Sequence, residues 1–105
     1  MDENLITEEE LDSQFKEMID SFIDQANELS KQNHIENVSL ALLHAASRYN
    51  AYVVSNHATS LIEYESELDK ARSFFMSNYD DMLNENLQDY KKIFMDDFKY
   101  QHLMK

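Results

Sequence analysis

The segment Val38-Ser39-Leu40-Ala41-Leu42-Leu43-His44-Ala45-Ala46-Ser47-Arg48-Tyr49-Asn50-Ala51-Tyr52-Val53-Val54 decides the fold. Its apolar residues fall on nearly every side of a helical wheel, the pattern of a helix buried on most of its circumference. No Asp or Glu occurs between Glu36 and Glu63, although acids crowd both flanks. The segment therefore reads as the central helix of the molecule, covering residues 38–55, capped at Asn37 and enclosed by its neighbours.

Outward to the N-terminus, Thr7-Glu8-Glu9-Glu10 forms a capping box, with Thr7 as N-cap and Glu10 as the reciprocal carboxylate. Leu11, Phe15, Met18, Phe22, Ala26 and Leu29 then recur at intervals of three and four, with Ile19 and Ile23 widening the stripe. This predicts an amphipathic helix from Glu8 to Gln32, followed by a connection at Asn33-His34-Ile35-Glu36. Outward to the C-terminus, Asn56-His57-Ala58-Thr59 reads as the second connection, and Ser60-Leu61-Ile62-Glu63 repeats the capping pattern. A third stripe runs from Leu61 through Tyr64, Leu68, Ala71, Phe75, Tyr79, Met82 and Leu83, Leu87, Tyr90 and Ile93 or Phe94 to Phe98. Ser77-Asn78 and Asn84-Glu85-Asn86 are the places where that helix can kink.

Composition agrees with an all-α chain. The 105 residues contain no Gly and no Pro, against usual frequencies of about 7% and 5%. Most tight hairpins use those residues, so the composition disfavours strand-rich folds, and Asn is left as the residue for left-handed helix ends. The expected fold is an all-α, three-helix up-down bundle with a long third helix, occupying residues 7–99. Residues 1–6 read as a flexible leader and 100–105 as a frayed tail. The third stripe outruns the second helix, and its aromatic end at Tyr90, Phe94 and Phe98 needs cover. These residues are the candidate self-association surface, and a homodimer is expected.

The same absences remove chemistry. Phosphate-cradling loops, dinucleotide fingerprints and nucleophile elbows require glycine. The lack of cysteine removes disulfides, thiolate nucleophiles and zinc knuckles. A formal charge of −12 opposes direct contact with nucleic acid or an anionic membrane, while fitting a basic partner or imitation of a polyanion. The acidic N-terminus shows no export signal and no stretch reads as a membrane span, so a cytoplasmic location is expected.

Of the four histidines, His34, His44, His57 and His102, none follows an acid by three residues, as di-iron bundles require. No metal, cofactor or catalytic group is implied. His44 and Arg48 lie one turn apart, and with Tyr49 and Asn50 they form the one polar cluster on the central helix. In one reading Arg48 makes a specifying ion pair with Asp20, Asp24, Glu65 or Asp69. In the other, His44 and Arg48 bind an anion or peptide. Glu63, Glu65, Glu67 and Asp69 scatter around their helix, and Asp80-Asp81 and Asp96-Asp97 lack a calcium loop. Lys91, Lys92 and Lys99 are offset by Asp89, Asp96 and Asp97, so the basic and aromatic mixture there is not a nucleic-acid stripe.

Three stretches carry a resemblance. Phe22-Ile23-Asp24-Gln25-Ala26-Asn27-Glu28-Leu29, the helix from Val38 to Ala51, and Met82-Leu83-Asn84-Glu85-Asn86-Leu87-Gln88-Asp89-Tyr90 are similar to a family of small acidic bacterial proteins classed as a domain of unknown function. The likeness spans about residues 15 to 95. It implies bacterial origin and helical form and brings no activity. The function expected is that of a non-enzymatic helical interaction module with an acidic surface. A nucleic-acid mimic that binds a basic protein is the alternative, and a small-ligand protein or enzyme built on His44 and Arg48 comes third.

Overall fold

The computed structural model describes the backbone of residues 6–103 and the side chains of residues 6–96. It contains three helices, α1 (Glu8–Leu29), α2 (Ile35–His57) and α3 (Leu61–Leu103), with no strand among the described residues. The all-α class and the three stripes are as the pattern predicted.

The start of α1 is set by local chemistry. Thr7 Oγ1 accepts from the Glu10 amide at 3.1 Å, and the Thr7 amide donates to Glu10 Oε2 at 3.4 Å. Two of the four orphan amides are satisfied in this way, and Glu8, Glu9 and Glu10 complement the positive end of the helix dipole. The helix stops at Leu29, three residues before the expected Gln32. Lys31 and Gln32 donate instead to carbonyls three residues back, the tighter winding common at helix ends. No described residue has a positive φ, so the expected left-handed Asn caps are not used. Side chains replace them: Asn33 Nδ2 donates to the Leu29 carbonyl at 2.8 Å, and Ser30 Oγ to that of Ala26 at 2.9 Å.

Helix α2 begins earlier than expected. The Val38 amide donates to the His34 carbonyl at 3.1 Å, so His34 occupies the capping position and Asn37 lies inside the first turn. At the other end α2 runs to His57, leaving 58–60 as the connection. Ser60 caps α3 as predicted, its Oγ accepting from the Glu63 amide at 3.2 Å. The Glu63 carboxylate accepts the Thr59 hydroxyl at 2.7 Å, so the second capping pattern recruits its neighbour.

Helix α3 is continuous for 43 residues, about 64 Å at 1.5 Å per residue. Neither suspected kink interrupts it. Asn78 returns its amide to the Phe74 carbonyl at 2.7 Å, so a residue that competes with helical structure elsewhere is absorbed by the helix here.

The chain divides into two compact units, Met1–Tyr52 and Val53–Lys105. In the first, Val38 is buried at 7% exposure, and Ala26, Ser30 and Asn50 are half-buried. Leu11, Phe15, Met18, Phe22, Leu40, Leu43, Tyr49 and Tyr52 are exposed. This corrects the expectation of an enclosed α2. Periodicity reports that a face needs cover; it does not report which molecule supplies it. In the second unit, Val53 and Val54 of the α2 end and Ala58 of the connection are half-buried, as are Tyr64, Leu68, Ala71 and Phe75 of α3. Past Phe75 the stripe continues, and every described side chain from 76 to 96 is exposed.

Candidate functional site

Asn37, Leu40, Ala41, His44, Ala45 and Arg48 line an open depression of about 400 Å³ along one face of α2. Their spacing of three and four residues puts them on one side of the helix, where two alanines leave room beside the longer side chains. His44 and Arg48 therefore meet on this face as expected. Tyr49 points with Tyr52, their rings 5.8 Å apart and tilted by 47°, and Asn50 is half-buried. The four polar residues do not converge on one point.

Arg48 is exposed, and no ion pair holds it among the described residues. The carboxylate partner expected for a buried guanidinium is missing: Asp69 pairs with Arg72 at 3.4 Å. The reason is exposure, since a solvated guanidinium carries no desolvation cost that a partner must offset. What remains is a cation and an imidazole one turn apart on a helix face with no acid of its own. That arrangement can receive a carboxylate. Small-molecule sites enclose about 70–90% of their ligand, and a depression walled by one helix does not, so this face suits a macromolecular contact better than a small molecule.

A second concavity, of about 600 Å³, lies within the unit that begins at Val53. Val53, Val54, Ala58, Ala71, Phe74 and Phe75 form its apolar lining, which His57, Glu63, Glu67 and Lys70 complete. Phe74 and Phe75 pack edge to face with ring centroids 5.4 Å apart. Sequence reasoning missed this groove because Phe74 lies off the main stripe. The adjacent Phe74-Phe75 pair was the available signal.

Of the candidate self-association residues, Tyr90 is 65% and Phe94 74% exposed. The Phe98 side chain lies outside the described residues. Among the described residues no group of three His, Asp or Glu side chains is placed to hold a metal ion, and no helix is long and apolar enough to cross a membrane.

The family model described as a protein of unknown function, DUF3144, matches residues 15–91. No curated protein and no solved structure matches the chain. The matched span begins at Phe15 in α1, takes in all of α2 with its His44 and Arg48 face, and ends just past Tyr90 in α3. It covers well over half of the sequence, and the chain therefore belongs to the DUF3144 family of proteins of unknown function.

Proposed function

We propose that this protein is a non-enzymatic helical interaction module that works as a homodimer, a second copy completing the up-down bundle, and that presents an acidic surface to a protein partner. One observation carries the reading. Apolar stripes run along all three helices, yet Val38 is the one buried residue among those described. Ordering a residue costs roughly 1–2 kcal/mol of backbone entropy, and burial of apolar surface is the main term that offsets it. Stripes left open by one chain therefore need an occupant, and a second copy supplies matching stripes of the same length and phase.

The surface left over is acidic. Helix α1 carries Glu8, Glu9, Glu10, Asp12, Glu17, Asp20, Asp24 and Glu28 against Lys16 alone. The same row favours a second reading, a polyanion mimic that occupies the nucleic-acid site of a basic protein. Salt separates the two contacts. Chains that each carry −12 repel, so screening strengthens self-pairing and weakens capture by a basic partner. In sedimentation equilibrium the expected mass is twice the 12.5 kDa of one chain, with the dimer tightening between 50 mM and 500 mM NaCl. A single-chain mass at high concentration in both salts removes the homodimer.

A further inference from the structure

We infer that the open face of α2 along Asn37, Leu40, Ala41, His44, Ala45 and Arg48 is a second docking surface, opposite in charge to the acidic one, and that it takes an acidic amphipathic helix from another protein. Its first support is a gap. One residue in five of the chain is Asp or Glu, so the 26 positions from Asn37 to Ile62 would hold about five at that rate, and they hold none. Cover by the rest of the chain accounts for such a gap in an enclosed helix, but all six residues of this face are exposed. Of the covered positions of α2, Asn50, Val53 and Val54 lie around the other side of the helix, and Val38 lies at the margin of this face. Acids are therefore absent from a surface that water reaches, and an anionic occupant gives the absence a cause.

The cations set the charge of that occupant. Arg48 is the one Lys or Arg between Lys31 and Lys70, and among the described residues no ion pair holds it, in a chain with 21 acidic side chains. His44, one turn before it, adds an imidazole and no negative charge. A carboxylate brought to Arg48 can accept two of its N–H groups at once. Ala41 and Ala45 leave a depression of about 400 Å³ beside Leu40, room for the side-chain ridge of a helix laid along α2. Tyr49 and Tyr52, exposed and ring to ring next to Arg48, belong with arginine to the residue types that dominate binding energy at protein interfaces.

Two other occupants fit less well. A nucleic acid presents a phosphate at every nucleotide and meets the charge of −12 beyond this face, whereas a helix can place its few carboxylates at Arg48 alone. A second copy would bring its acidic α1, where Glu17, Asp20, Asp24 and Glu28 lie on the side away from Leu11, Phe15, Met18 and Phe22. Carboxylate and apolar residue are not offered together there.

A fluorescein-labelled helical peptide of Leu, Ala and Glu, with its glutamates bordering one apolar face, is the probe, and the same peptide with Gln for Glu is its control. In fluorescence anisotropy with the full chain at 50 mM NaCl, the Glu peptide should bind and the Gln peptide should bind at least tenfold more weakly. Arg48→Glu should weaken binding of the Glu peptide about tenfold or more, and Arg48→Gln by less. Arg72→Glu, the same change of net charge on α3, should leave it unchanged. Both arginines are exposed, and circular dichroism checks that each variant keeps its helices. Equal weakening by Arg48→Glu and Arg72→Glu would mean attraction without a site and would overturn the inference, as would a native chain that leaves the Glu peptide unbound at 1 mM. Sedimentation separates this surface from the homodimer: Arg48→Glu should keep the mass of the native chain. A fall from two chains to one would make the face a contact between copies and overturn its assignment to another protein.

Discussion

Replacing Ile93 by Glu is expected to convert the proposed homodimer to single chains. In one isolated chain Ile93 is 52% exposed, and substitutions at exposed positions ordinarily change stability by no more than about 0.5 kcal/mol. Covered by a second copy, as proposed above, the same carboxylate would lie in apolar surroundings, where an unpaired charge costs several kcal/mol. A loss of about 3 kcal/mol is more than a hundredfold in the dimer dissociation constant, enough to leave monomer at micromolar concentrations in sedimentation velocity. The contrast between the two expectations gives the substitution its force, since exposure in one chain predicts almost nothing and cover by a second predicts collapse of the assembly. An unchanged mass for Ile93→Glu removes Ile93 from any interface.

The second large effect is expected at Asn84→Pro. Local propensity alone makes Asn84-Glu85-Asn86 a permissible break, and proline is tolerated where a helix already kinks. In the structure α3 is one continuous helix through these residues. A proline at 84 then removes the amide that bonds to the Asp80 carbonyl and drives its ring into that carbonyl, costing about 3 kcal/mol. The residues beyond 84 have no other cover within the described chain, so they should lose helicity together. Far-UV circular dichroism reads that loss as a drop in helical signal alongside a lowered unfolding midpoint. A variant with native ellipticity and an unchanged midpoint would show that α3 is jointed at this point.

Helix starts were legible where side-chain chemistry announces them. Thr7 with Glu10, and Ser60 with Glu63, carry donors and acceptors at the spacing an N-terminus needs, and both caps form. The start of α2 was misread because His34 ranks low among capping residues and the better candidate, Asn37, stands only three positions on. The end of α1 was placed three residues late because Ser30, Lys31 and Gln32 carry no breaking residue, whereas the chain winds more tightly there and Asn33 closes the helix with its side-chain amide.

The apolar stripes were legible in phase and silent about their neighbours. Leu40 and Leu43 read as core and are exposed in the chain, because a periodic pattern records demand for cover without naming its source. The candidate site shows the same division. The adjacency of His44 and Arg48 followed from a spacing of four, yet the missing carboxylate around Arg48 depends on tertiary placement that no local pattern encodes. The groove beside Phe74 and Phe75 escaped for a related reason: it is made by the approach of the α2 end to α3, residues far apart in helical phase.

Dependence of unfolding on protein concentration tests most directly whether a second copy covers these stripes. Urea unfolding followed by circular dichroism at 1 µM and at 100 µM should separate, since a dimer that dissociates as it unfolds gains about 2.7 kcal/mol for a hundredfold rise in concentration. A midpoint that climbs by that free energy divided by the denaturant slope is the predicted result. Superimposable curves at the two concentrations would contradict it, because a chain that folds alone is indifferent to how many copies surround it.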